Sequence, residues 1–142
     1  MSLEGRGYKD CILRVNLTDG AMRCERIPEE VARLLLGGRG LGTWLLYREL
    51  PPGAPALGPE NRLIFVTGPL TGTIAPTAGR VGLVTKSPAN GAILDSYAGG
   101  FFGEVLKYAG YDAVVLEGCA PEPSVLVIEN DRVAVEPAPD LW

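Results

Sequence analysis

The sequence predicts an α+β fold, mainly antiparallel β-sheet with a few short helices. Three observations carry this prediction: apolar strand-like segments outnumber helical ones, several segments are joined by connections too short for a crossover helix, and two pairs flank tight-turn dipeptides. The 142 residues suit one domain spanning 1–142. Their 46% apolar and 21% charged content is that of an ordinary globular protein.

The elements follow in order. Met1-Ser2-Leu3 carries no structural signal of its own. Cys11 to Leu17 alternates apolar and polar residues, Thr18-Asp19-Gly20 supplies a turn, and Ala21 to Ile27 returns, so a β-hairpin is expected. Asn16-Leu17-Thr18, although spelled like a glycosylation sequon, reads as a strand end entering that turn. Pro28 suits a first helical turn, with Glu29 and Glu30 at its positive end and Val31, Leu34 and Leu35 forming one apolar face. Gly37-Gly38 ends this helix. A second runs from Leu41 to Leu50 and is stopped by Pro51-Pro52. After a Pro/Gly-rich loop, strands are expected over Leu63–Thr67, Val81–Thr85 and Ala92–Tyr97, then a helix over Phe101–Ala109. Ala113–Glu117, Ser124–Glu129 and Val133–Glu136 read as strands, with Asn130-Asp131 turning between the last two.

Composition excludes several function classes. Thirteen Lys and Arg against seventeen Asp and Glu give a net charge of -4, with no basic run, so nucleic-acid binding is disfavoured. No apolar run approaches the roughly 18 residues of a membrane span. Without a signal-like N-terminus the expected location is cytoplasmic. Histidine is absent, which removes Ser-His and Cys-His nucleophilic sites. Cys11, Cys24 and Cys119 lie outside any CxxC pattern and read as reduced, part-buried thiols. No catalytic or metal-ligating residue is assigned.

The chemistry-bearing stretch is Gly68 to Gly103, GPLTGTIAPTAGRVGLVTKSPANGAILDSYAGGFFG. Glycines let backbone N–H groups approach a polar ligand closely. Thr71, Thr73, Thr77, Thr85 and Ser87 add hydroxyls, Arg80 adds a guanidinium able to grip phosphate in a fork, and Lys86 is a second cation nearby in sequence. Alone, such loops fit a phosphate-bearing or heteroaromatic cofactor, or simply the turns of a β-rich fold. GGRGLG at Gly37–Gly42 is not a dinucleotide fingerprint, because it follows a helix and has the wrong spacing.

The order of RVNLTDG, GGRGLG, ENRLIFVTGPLTGTIAPTAGR, VTKSP, AGGFFGEVLKYAGYDAVVLEG and a final LW is similar to the start of the tungsten-containing aldehyde:ferredoxin oxidoreductase family, from Gly7 to Trp142. That resemblance implies an N-terminal domain holding part of a bis-pterin tungsten (or molybdenum) cofactor, tungstopterin, beside a 4Fe-4S cluster whose ligands lie outside this sequence. It implies oxidation of aldehydes to carboxylic acids with ferredoxin as acceptor. Some relatives act on aldehyde phosphates or aromatic acyl thioesters, and nothing in these residues chooses among such substrates. The family's pterin-contacting arginine falls on Arg80, and its next contact segment on Tyr97, Ala98 and Gly99. Relatives often carry Asn-Ser-Gly there, so Tyr97 and Ala98 depart from the pattern. For Lys107 and Asp112, in the matched strings, surface solvation or a helix-face ion pair is expected. Arg39 has two equal readings: contact with a later domain, or capping of the preceding helix. The implied partners are the remaining domains or a partner chain, ferredoxin, and a second copy in a homodimer through an exposed apolar surface. The alternative function is a scaffold or assembly module that kept the fold without the cofactor.

Overall fold

The structure, a computed structural model, describes residues 3–141. Met1, Ser2 and Trp142, the W of the final LW string, lie outside the described residues.

The opening hairpin forms as expected, from β1 (Ile12–Asn16) and β2 (Met22–Glu25). Asn16 ends the strand: its side-chain oxygen accepts from Thr18 N at 2.9 Å and its carbonyl from Gly20 N at 2.8 Å, closing the turn. Helix α1 (Glu29–Leu35) follows Pro28, and its buried residues are Val31 and Ala32, with Leu35 packed beside them. Leu34 points to solvent at 81% exposure, so the buried stripe is rotated from the expected one. A seven-residue helix makes under two turns, and its packing with α2 and the shared core selects its face. Helix α2 (Gly38–Glu49) starts three residues earlier than expected, so Gly38, Gly40 and Gly42 of GGRGLG are helical, with Gly37 extended just before them. Leu50 then adopts the extended backbone required before Pro51. Strands β3 (Arg62–Val66), β4 (Val81–Lys86) and β5 (Ile93–Ala98), helix α3 (Phe102–Tyr108), strands β6 (Ala113–Glu117), β7 (Ser124–Glu129) and β8 (Arg132–Pro137), and a 3-10 turn over Pro139–Leu141 complete the described chain.

Six strands form one sheet in the order β2-β1-β6-β3-β4-β5. Every contact is antiparallel except β1 with β6, which pair in parallel. The expected α+β, mainly antiparallel class is observed, with this one parallel join added. The join returns the chain to β1 about a hundred residues later, farther than local turn signals reach. Strand alternation divides the core. Ile12, Ile64, Val66, Val84, Ala113 and Val115 face α1 and α2. Leu13, Val15, Val114 and their neighbours face α3 and the separate β7–β8 hairpin, whose Leu126, Ile128, Val133 and Val135 pack against them.

Helix α2 lies very close to the sheet: a Cβ on Gly42 would sit 2.6 Å from Val84 Cγ2 and 3.2 Å from Val66 Cγ1. Glycine lowers helix propensity by about 1 kcal/mol, and here it permits the approach. Two polar knots brace the layers. Arg14, 4% exposed, is held by Glu25 and Glu49, with Arg62 bridging Glu49 and Glu117. Hydrogen bonds that the guanidinium donates to Glu49, and secondarily to Glu25, raise Arg14 above its ordinary range against the cost of burial. The second knot is Lys107 with Asp112, both buried. Leu3 is also buried, at 4%, so its segment contributes to the core despite having no sequence signal.

The thiol expectation fails at two positions. The hairpin carries Cys24 back beside Cys11, with Cα atoms 5.4 Å apart, and the two form a disulfide. Cys119 stays free and exposed. No helix of the described residues is long and apolar enough to cross a membrane.

Candidate cofactor-binding rim

The four residues singled out in the sequence meet at one end of the edge ribbon β4–β5. Val81 pairs with Ala98 and Gly82 with Tyr97. Continuing that register by one residue sets Arg80 opposite Gly99. Arg80, Tyr97, Ala98 and Gly99 are all exposed. By strand alternation Tyr97 shares the α2 side of the ribbon with Gly82 and Val84, and Ala98 faces the opposite side.

Each member is placed by a specific contact. Thr71 Oγ1 donates to the Arg80 carbonyl at 3.4 Å, and a Cβ on Gly103 would come within 3.0 Å of that same oxygen. The Arg80 backbone is therefore clamped between the Gly68 loop and the start of α3. Its guanidinium is not: among the described residues it has no hydrogen-bond, ion-pair or ring partner. Every other arginine has a carboxylate or an aromatic ring beside it. An unpaired guanidinium fixed at its backbone is suited to accept an anionic oxygen pair in bidentate fashion. Beside it, a Cβ built on Gly99 or Gly100 meets nothing within 4 Å, and Gly100 has φ +104, open to glycine and strained for other residues. A ligand can thus reach this backbone without obstruction.

Tyr97 is more constrained than its sequence position suggested. Its ring lies over Gly82, where a Cβ would be 3.2 Å from Cε1. Its hydroxyl accepts from Arg39 N, at the start of α2, at 3.1 Å. The Arg39 guanidinium pairs with Asp95, two residues before Tyr97 on the same strand, at 3.5 Å. Neither sequence reading of Arg39 describes this contact. The carbonyl capping expected of it is met instead by Tyr8, whose hydroxyl donates to Leu36 O at 2.6 Å.

Other candidates separate from the rim. Lys86 lies at the far end of β4, roughly 20 Å from Arg80 at strand rise, and its amine donates to Ala54 O. Most of the expected hydroxyls close their own turns: Thr73 bonds Leu70 O, Thr77 bonds Pro76 O, and Ser87 accepts from Ala89 N. Thr85 accepts from Asn61 at 3.0 Å. Lys107 and Asp112 do pair, but in the interior and not on a helix face, since Asp112 lies beyond the end of α3. Asp112 also accepts from the Lys9 and Asp10 amides at 2.9 and 2.8 Å, while Lys107 donates to Gly7 O at 2.7 Å. The Asp112 carbonyl accepts from Thr67 N and Thr67 Oγ1, and Thr67 O accepts from Gly38 N at 2.8 Å. This relay joins the N-terminal segment to the Gly68 loop and the start of α2. The bonds joining Asp112 to Thr67 and to the Lys9 and Asp10 amides span 45 to 103 residues and leave no local trace in the sequence.

Comparison with known proteins identifies the family. The sequence profile described as "Aldehyde ferredoxin oxidoreductase, N-terminal domain" matches residues 12–142. A tungsten-containing aldehyde ferredoxin oxidoreductase of Pyrococcus abyssi is 48% identical over 136 residues, covering 96% of this chain and 22% of the relative. The enzyme of that name from Thermococcus kodakarensis is 50% identical over 130 residues, covering 92% and 22%. A solved structure titled "Active site complex BamBC of Benzoyl Coenzyme A reductase in complex with 1,5 Dienoyl-CoA" aligns with a TM-score of 0.93 at 36% identity, covering 96% of this chain and 21% of its counterpart. The chain thus spans about a fifth of the length of these relatives. On the profile match, the shared fold and the preserved order of its motifs, it belongs to the aldehyde ferredoxin oxidoreductase family of oxidoreductases, as an N-terminal domain of that family.

Proposed function

We propose that this chain, as a single domain over 1–142, forms part of the cofactor platform of a tungsten-containing enzyme that oxidises aldehydes to carboxylic acids. The observation that carries the reading is the partnerless Arg80 guanidinium, set beside the unobstructed backbone of Gly99 and Gly100. These groups fit a pterin cofactor: its phosphate oxygens match a guanidinium fork, and its polar ring edge matches open N–H donors. Arg80 would hold the anionic end, Ala98 and Gly99 would offer backbone contacts, and Tyr97 would border the ligand. When bound, tungstopterin supplies the redox centre, with a 4Fe-4S cluster and ferredoxin receiving the electrons. This chain's residues bind and orient the group and exclude water from it.

Activity then requires further polypeptide, either remaining domains or a partner chain. Leu70, Phe101, Phe102 and Val105 are exposed, and Ile74 is exposed completely. Apolar surface of this kind supports burial under another part of the enzyme, with a second copy of the chain as the alternative cover. One observation bears on a scaffold without cofactor: the Tyr97 hydroxyl already accepts from Arg39 N, at a position where the resemblance implies a side-chain amide that tyrosine lacks. Tungsten content of the holoenzyme carrying Arg80→Ala separates the two. The proposal expects tungsten per protein to fall well below the unsubstituted level. Unchanged tungsten refutes the role of Arg80, and a natural holoenzyme free of tungsten and molybdenum establishes the scaffold.

A further inference from the structure

We propose that the start of α2 is a positioning latch for the rim, with Arg39 as the residue that fixes it; this rests on the cofactor reading above. Edge strand β5 has a hydrogen-bonded neighbour only on its β4 side, and its residues are among the most exposed of the sheet. Such a strand does not by itself hold a side chain to one geometry. Arg39 reaches it twice from 56 and 58 residues away. The backbone N–H donates to the Tyr97 hydroxyl, and the guanidinium pairs with Asp95 on the same strand face.

The first contact has a chemical consequence. A tyrosine hydroxyl both accepts and donates. With Arg39 N supplying the accepted bond, the phenol proton is left to donate outward. The ring is seated on Gly82, two residues from Arg80, so the phenol donor and the free guanidinium belong to one rim and can serve one anionic ligand. The GGRGLG glycines make this approach possible: a Cβ on Gly37 would lie 2.8 Å from Thr67 O, and one on Gly42 would strike Val84. Arg39 therefore acts through Tyr97 and is not itself a ligand contact.

The test measures the rate of tungsten loss from the holoenzyme on mild heating with a chelator, and separately the unfolding midpoint. Tyr97→Phe removes only the hydroxyl, and release is expected to accelerate about tenfold. Arg39→Ala breaks the Asp95 pair, which is 67% and 31% exposed on its two sides, and a smaller acceleration of about two- to fivefold is expected. In a Tyr97→Phe background Arg39→Ala should add nothing, and Arg39→Lys should keep normal retention. The unfolding midpoint should stay unchanged in all four variants. Additive effects, or normal retention in Tyr97→Phe while Arg80→Ala loses tungsten, overturn the latch and leave the cofactor reading intact. Normal retention in Arg80→Ala removes the cofactor reading and the latch with it.

Discussion

Asp112→Ala should cost this domain more than any substitution on its rim. The Lys107 amine is paired with the Asp112 carboxylate where both side chains are almost fully enclosed, 4% and 2% exposed. Removing the carboxylate strands a buried cation, at a cost of about 3–5 kcal/mol. Two further donors, Lys9 N and Asp10 N, lose their acceptor. They are only part-buried, so water replaces much of that bond and the addition is about 1 kcal/mol. A total of about 4–6 kcal/mol is comparable with the whole stability of a domain this size. Urea unfolding followed by circular dichroism measures it directly. If Asp112→Ala fails to fold, the paired substitution Lys107→Met with Asp112→Leu decides the matter. It removes both charges at similar volume and should unfold within about 2 kcal/mol of the parent. A loss below about 1 kcal/mol in Asp112→Ala, or a paired variant no better than the single one, would refute the reasoning that an unpaired buried charge sets the cost.

Two further outcomes follow from packing and titration. Gly42→Ala places a Cβ 2.6 Å from Val84 Cγ2, and the overpacking should cost about 1–3 kcal/mol despite alanine's better helix propensity; Val84→Ala in the same chain should recover part of the lost melting temperature, and a stabilised single variant would contradict the contact. Burial, with a smaller contribution from Asp112 at Tyr8 and Asp131 at Tyr111, raises both phenols above their ordinary value of 10.0. The folded state therefore keeps protons that the unfolded chain releases, so the stability is complete below 10.0 and is lost as pH rises from there through the raised values. Melting temperature against alkaline pH should fall less steeply in Tyr8→Phe with Tyr111→Phe, and an unaltered slope would show that these phenols do not contribute.

Elements whose cause is local were legible in the sequence. The Asp19-Gly20 hairpin, the Pro51 stop and the Asn130 turn, where φ is +56, arise from residues adjacent in the chain. Periodicity misled at α1, because a helix of seven residues presents whichever stripe its packing with α2 and the shared core selects, and Leu34 lost that contest. At α3 it gave the helix but not its orientation: Leu106 and Lys107 turn inward, while Phe101, Phe102 and Val105 face out. No pattern rule places a lysine in the core ahead of two phenylalanines. Only its partner does, and Asp112 is set by the parallel pairing of β1 with β6 through the bond from Asp112 N to Cys11 O. The rim was legible in part. Resemblance and side-chain chemistry brought Arg80, Tyr97, Ala98 and Gly99 forward together, and the β4–β5 register gathers them. Arg39 and Asp95 were not legible as a pair, since their contact crosses 56 residues and two elements.

These placements change what the matched motifs mean physically. GPLTGT looks like a ligand loop because it concentrates glycine and hydroxyls, yet Thr71 and Thr73 spend their hydroxyls on Arg80 O and Leu70 O. AGYD looks like a surface turn, yet Asp112 ties three segments through its carboxylate and carbonyl. GGRGLG resembles a phosphate loop, yet its glycines are filled by Thr67, Leu35 and Val84. Each of these groups already has a structural task within the protein. Arg80 is the exception in every respect: charged, exposed, fixed at its backbone and unpaired at its head. The Glu104 carboxylate, which a Cβ on Gly79 would meet at 2.7 Å, has no hydrogen bond or ion pair to Arg80. On the cofactor reading proposed above, that guanidinium is the group available to an anionic ligand.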